Sequence, residues 1–298
     1  MPDSEQHRSV PIRQNSKHGI LLMLVGLFMF GVTDMQAKLL TDSLHPVQII
    51  WFRQIGLLVG VLFLLYWHGP AILKTNNLLL QLGRGSLAIC SALLFVFALR
   101  YVALADAVAA SFIAPFLVTL LGAAVLGEKI GVKRWSAIVI GFIGALIIVR
   151  PGLGVIHPAV MLVILAAFFY ALRQVVGRLL ADSDPTITTI TYTALAGSVV
   201  ISVPLLFVWQ WPPSLTIWLI LASLAITGAL GEIFIIKALE VTEASVLAPT
   251  HYTLIIWATL YGYLVFGQLP DGWTLLGTGI IVTAGLYAWH RHRRLATT

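Results

Sequence analysis

Asp34, Arg53, Arg173, Glu232 and His251 stand well inside otherwise apolar runs of this 298-residue sequence. A charge at the centre of a hydrocarbon layer costs at least ~2.5–3.5 kcal/mol on insertion scales, so each one retained should face other helices or a wet cavity. Asp34 and Arg53 lie equally far from the turn between their two runs, which sets them at one depth on antiparallel neighbours. They suit an outer gate or a contact for substrate charge. Equally, they suit a permanent ion pair that fixes the hairpin. Lys38, one turn beyond Asp34, can compete for that carboxylate or extend to the surface.

Arg173 and Gln174, with Phe169 and Tyr170 one turn earlier, make a polar and aromatic face. Arg173 either reaches towards headgroups or meets an anionic substrate group. Glu232 stands about one and a half turns inside the end of its run, where a carboxylate must take up a proton or recruit a cation. That chemistry serves proton coupling or recognition of a substrate amine; its structural alternative is a pair with Lys237 or Arg173. Thr253, Trp257 and Tyr261 recur every fourth position and share one helical face. Such a stripe suits stacking against a planar or amphipathic solute, or else plain helix packing and an interfacial belt. His251 is the side chain whose ordinary titration lies nearest neutrality, although a lone histidine also serves as hydrogen-bonded structure. The candidate binding set is Asp34, Arg53, Phe112, Tyr170, Arg173, Glu232, His251, Tyr252 and Trp257.

Catalytic patterns are absent from the chain: no HExxH, GxSxG, Walker loop or paired His/Cys spacing occurs. The glycines at 152 and 154 form a short turn after Arg150 and Pro151 rather than a dinucleotide loop. Cys90 is the single cysteine, so neither a disulfide framework nor a cysteine metal site can form within the chain. No enzyme activity, cofactor or metal is expected, and movement of a solute would have to run on a gradient.

The elements that must hold these groups follow from composition. The chain is 59% hydrophobic and 10% charged, against about 25% charge in soluble domains, with a mean hydropathy of +0.96. That is a polytopic membrane protein. The net charge of +6 is dispersed among loops, which disfavours nucleic acid as a partner. Ten spans are predicted, over residues 19–40, 46–67, 85–104, 107–126, 135–149, 158–180, 186–209, 215–237, 245–266 and 273–289. Runs of this length cross as helices. Residues 1–18 lack the pattern of a cleaved signal and are expected to be a soluble tail, with the first span kept as an anchor.

With the N-terminus inside, the inner face receives Arg8, Arg13, Lys17, Lys74, Arg84, Lys129, Lys133, Arg134, Arg178, Lys237, Arg291, Arg293 and Arg294, and the outer face only Lys38, Arg100 and Arg150. This bias predicts both termini in the cytoplasm. Trp135 and Trp273 are 138 positions apart, as are Gly141 and Gly279, while Gly127 and Gly267 are 140 apart. The chain is thus read as an internal duplication: a tail over 1–18, a first repeat over 19–151, a second over 152–290 and a basic tail over 291–298. Five spans per repeat is odd, so the second repeat enters the membrane inverted, as in alternating-access carriers. Under this repeat Asp34 maps onto Arg173 and Arg53 onto Tyr192. Pro115 and Pro249 free backbone carbonyls inside spans four and nine, at positions that do not match under the repeat. Gly141 and Gly144 are read as close-packing positions.

The stretch LRYVALADAVAASFIAPFLVTLLGAAVLGEKIGVKRWSAIVIGFIGALIIVRPG resembles the end of an EamA repeat in the drug/metabolite transporter superfamily. ASVLAPTHYTLIIWATLYGYLVFGQLPDGWTLLGTGIIVTAGLY resembles the end of the second repeat, and HPVQIIWFRQ, preceded by Asp34 and Lys38, resembles the start of the first. The resemblance implies an all-α membrane protein of ten transmembrane helices in two inverted five-helix EamA repeats, resident in the inner membrane and moving small organic solutes. Gln268 departs from the glutamate that commonly follows the glycine at this point, so a carboxylate role there is not expected. The resulting expectation is a secondary transporter of amino acids or related amphoteric metabolites, with export ahead of uptake, acting as a monomer or weak homodimer among membrane lipids, with proton coupling open. Vitamins such as riboflavin, S-adenosylmethionine, drugs and metallophore-like solutes are the alternative cargoes. The rival classes are a membrane-embedded lipid-modifying enzyme, which would need clustered carboxylates or histidines, and a purely structural protein, which would not need buried charge.

Overall fold

A computed structural model describes residues 16–127, 132–150, 157–181, 183–242 and 244–296. Twelve helices follow in order: α1 Ser16–Leu40, α2 Pro46–His68, α3 Leu78–Leu99, α4 Leu104–Ser111, α5 Ala114–Leu126, α6 Val132–Val149, α7 Val160–Ala181, α8 Thr186–Val208, α9 Leu215–Val241, α10 Ala244–Leu247, α11 Thr253–Phe266 and α12 Gly272–Ala296. Short 3-10 turns cover Pro70–Leu73 and Ala248–Tyr252. Seven stretches are long and apolar enough to cross a membrane, and Ile138–Val149 and Gly272–Tyr287 are shorter apolar helices. Together with span nine, which is built from α10, the 3-10 turn and α11, they account for ten crossings. Most of the outer surface is apolar, with Leu206 80% and Phe207 84% exposed, as a protein solvated by lipid requires.

Spans four and nine are each broken. Span four stops at Ser111 and restarts at Ala114, while span nine passes through the 3-10 turn before α11. Pro115 sits in the first turn of α5 and Pro249 at the start of the 3-10 turn itself, and neither can donate to the turn before it. Phe112 and Tyr252 are 140 positions apart, so the breaks do correspond under the repeat even though the prolines do not. The equally spaced Gly127 and Gly267 end α5 and α11 with φ of +68° and +63°. A side chain there would meet its own backbone, which is why glycine closes both helices.

The packing repeats as well. α1 lies along α9, and α7 along α3; α5 packs on α7, and α11 on α1; α2 meets α8, and α6 meets α12. Exchanging each span for the one five later maps this neighbour list onto itself, the signature of two inverted halves. At the α6–α12 crossing, a Cβ on Gly144 would lie 3.0 Å from the Gly277 carbonyl oxygen, so small residues set that approach.

Three boundaries differ from the sequence reading. α3 begins at Leu78 rather than at 85 and ends at Leu99, which draws Arg84 into the membrane. α9 continues to Val241, so Glu232 lies nine residues from its end and deeper than expected. The C-terminal basic segment continues α12 as far as Ala296. Residues 1–15, most of the loop after Gly127 and the glycines at 152 and 154 lie outside the described residues.

Candidate functional site

Five crossings per half put the chain ends on one face, called here the end face; the other is the far face. Asp34 is six residues from the far end of α1, and Arg53 seven from the far end of α2, or about 9–11 Å along the helix axis. They share a depth, as expected, but α9 packs against both α1 and α2 and stands between them. The Arg53 side chain crosses α9 at Gly228, its Cγ 3.3 Å from where a Cβ would stand, and its guanidinium lies 5.5 Å over the Phe30 ring. Phe30 is one turn before Asp34 on α1. No ion pair closes between Asp34 and Arg53. Asp34 lies on a helix packed among its neighbours and is only partly buried.

Beside this pair, Thr33 donates to Thr227 at 2.9 Å, Thr227 to Gln36 at 3.1 Å, and Gln36 to Ser223 at 2.7 Å. These bonds join α1 to α9. Lys38 neither snorkels nor competes for Asp34. Its ammonium is buried and donates to the carbonyls of Leu99 and Val102 at 2.8 and 2.7 Å, neutralising the negative end of α3.

Nearer the end face, Arg173 lies 5.5 Å over the Tyr170 ring, and the Gln174 amide donates to the Tyr170 hydroxyl at 3.3 Å. Arg84, a loop residue by hydropathy alone, joins them. It donates to the Thr193 hydroxyl, and its Nε lies 3.3 Å from the Cβ position of Gly177, one turn from Arg173 on α7. Arg173 and Glu232 are charged side chains close enough to act on it. Glu232 is half-buried and closes no ion pair with Arg173 or Lys237. The one ion pair among the described residues lies elsewhere, at the far face. The signal for Arg84 was the Leu78–Leu79–Leu80 run just before it, which makes a first helical turn apolar enough to enter the membrane.

The two broken spans cross at their breaks. The Phe112 and Tyr252 rings meet edge to face with centroids 5.4 Å apart. Phe112 is 6% exposed and belongs to the packed core, while the Tyr252 hydroxyl abuts Gly285 of α12. His251 keeps more than a third of its surface exposed. The stripe on α11 mostly packs. Trp257 meets the Phe28 ring edge-on at 5.0 Å, Tyr261 lies 6.3 Å from the same ring, and the Thr253 hydroxyl donates to the Thr250 carbonyl at 2.7 Å. The Trp257 indole N–H is buried and without a hydrogen-bond partner.

Both ends of the bundle are tied. At the far face Arg150, at the end of α6, pairs with Asp271, whose carboxylate also accepts the Thr274 N–H at 2.7 Å and caps α12. Burial pushes the Asp271 carboxyl up, but the Thr274 N–H and Arg150 outweigh it and hold it below the usual carboxylate value. At the end face Asp184, between α7 and α8, accepts from the Thr75 hydroxyl, the Gln81 amide at 2.7 Å and the Asn76 N–H at 3.1 Å. The Thr75 hydroxyl and Gln81 amide, first among these donors, hold its carboxyl below the usual value. A cleft of about 600 Å³ beside this network is lined by Lys74, Thr75, Asn76 and Tyr192. It is open to the surface and separate from the charged residues of the interior.

The sequence pattern of the EamA-like transporter family matches residues 17–150 and 157–288. The chain is 26% identical over 276 residues to an S-adenosylmethionine uptake transporter of Rickettsia felis, covering 93% of this chain and 94% of that one. It is 29% identical over 273 residues to a pseudopaline exporter of Pseudomonas aeruginosa, covering 90% and 94%. Over 211 residues it is 34% identical to a riboflavin transporter of Vibrio cholerae, covering 70% and 71%. A crystal structure at 18% identity superposes with a TM-score of 0.64 over 94% of this chain and 99% of the other, a likeness of fold.

Proposed function

The chain belongs to the EamA-like transporter family, and on that premise we propose that it carries a small organic solute bearing charges of both signs, an amino acid or related amphoteric metabolite, by alternating access between its two halves. It is a transporter rather than an enzyme. The observation that carries the substrate reading is that Asp34, Arg53, Arg173 and Glu232 all lie inside the bundle and none closes an ion pair. Unpaired charges of both signs are costly in a membrane, and a zwitterion offers each a partner. The broken spans, with His251 and Trp257 at their crossing, provide unwound backbone and aromatic surface for the rest of the solute.

On this reading the two halves are residues 19–151 and 152–290, and rocking of one against the other opens a central pathway to each side in turn. Lysines and arginines crowd the end face even after Arg84 is moved into a helix, which supports an inner-membrane protein with both termini cytoplasmic. Export is the proposed direction. The names of the relatives include both uptake and export, so the direction does not rest on them. Their cargoes, S-adenosylmethionine, pseudopaline and riboflavin, form the second group to assay.

Counterflow in proteoliposomes tests the reading. Vesicles preloaded with an unlabelled amino acid should accumulate the matching labelled one, with S-adenosylmethionine and riboflavin assayed beside it. Accumulation of neutral solutes alone would overturn the two-charge reading.

A further inference from the structure

We propose that Arg84 of α3 and Arg173 of α7 together form a carboxylate subsite in the end-face half of the pathway, receiving the single negative group of the solute. This rests on the proposed function and adds a residue and a charge class to it. Arg84 is six residues from the end-face terminus of α3, and Arg173 eight from that of α7, so they stand about 9–12 Å deep. Gly177 lets the Arg84 side chain lie against α7, one turn from Arg173. The two arginines therefore lie on facing sides of one helix contact, about a turn apart.

Arginine does not give up its charge inside proteins, so two of them side by side need compensation. What the protein supplies is incomplete. One nitrogen of Arg84 donates to Thr193, and Arg173 rests on the Tyr170 face. The Nε of each is buried and without a hydrogen-bond partner. Glu232 is the one carboxylate in reach of Arg84 and makes no contact pair with it. Two arginines and one glutamate leave an excess of one positive charge, which a single carboxylate would neutralise. The planar fork of a guanidinium matches the two oxygens of that group. The repeat-related position of Arg173 is Asp34, in the opposite half, so the two ends of a solute would meet opposite charges as the pathway turns over.

The test uses the purified full chain in detergent, with propionate as the carboxylate probe and propionamide as its neutral isostere. Thermal unfolding of the wild type should rise by roughly 2–4 °C at about ten times the dissociation constant of propionate, and rise neither with propionamide nor with chloride at equal ionic strength. Arg84→Gln and Arg173→Gln should each abolish that rise, whereas Arg84→Lys, kept as a folded charge-retaining control, should keep part of it. An equal rise in both Gln variants, or no propionate-specific rise in the wild type, overturns the subsite. Counterflow with the solutes above is scored separately. A propionate response without exchange of any charged solute would sink the transport reading and spare the subsite; exchange that is insensitive to both Gln variants would do the reverse.

Discussion

Phe112 and Tyr252 meet edge to face at 5.4 Å where spans four and nine cross, and each sits at the break of its own span. The contact joins the two repeats at the one place where both lose regular helix. It is packing rather than a ligand surface on the Phe112 side, since that ring is 6% exposed.

Removing the ring should therefore act on stability. Phe112→Ala is expected to cost about 3–5 kcal/mol, the range for a buried phenylalanine, and to lower the unfolding temperature sharply. Tyr252→Phe keeps the ring contact and should change it little. Thermal unfolding of both variants in one detergent checks this; equal losses would mean that the Tyr252 hydroxyl carries the junction.

Asp34 and Arg53 share a depth without touching, so they should act on the solute more than on each other. Asp34→Asn and Arg53→Gln are each expected to weaken counterflow of a zwitterion at least tenfold, about 1.4 kcal/mol in binding. The double variant should be no better than the worse single. Full recovery in the double variant would show that the two charges serve only to neutralise one another.

Asp184 gives the end-face network an acid limit. Its folded carboxyl titrates below the ordinary aspartate value of about 3.9, so its contribution is fully present above that value and is lost as pH falls through the lower, folded one. The wild type should lose unfolding temperature progressively below about pH 4. Asp184→Asn should start lower at neutral pH and show a shallower acid limb. An identical limb in both proteins would place the acid sensitivity elsewhere.

Asp271 does two jobs that substitution can separate. Asp271→Asn keeps a good helix cap and loses the ion pair with Arg150, a half-exposed bridge for which about 0–1 kcal/mol is expected. Asp271→Ala loses the cap as well, and a further cost of about 1 kcal/mol is expected. Equal losses of unfolding temperature in the Asn and Ala variants would mean that the charge, and not the cap, holds α6 to α12.

Spacing made the duplication legible: Gly127 and Gly267 proved to be matching left-handed helix ends. Depth was legible too, because rise per residue converts position into distance, and Asp34 and Arg53 do share a level. The hidden parts lay at helix ends and in side-chain reach. Hydropathy averages over a window, so it began span three at residue 85 and left Arg84 in a loop, where one more apolar turn carries it inside. Glu232 was set too shallow for the same reason. The fate of Lys38 was not legible, because its partners, the Leu99 and Val102 carbonyls, are about sixty residues away in the chain.

What the chain determined by itself was its solvent and its symmetry: a backbone in lipid must close its own hydrogen bonds, and an odd number of crossings per repeat must invert the copy. Which charges are free was decided only in three dimensions. Electrostatic pairing depends on contact at a few ångströms: Arg53 crosses α9 at Gly228 and rests on Phe30 of α1 without closing on Asp34, and Gly177 lets Arg84 lie against α7.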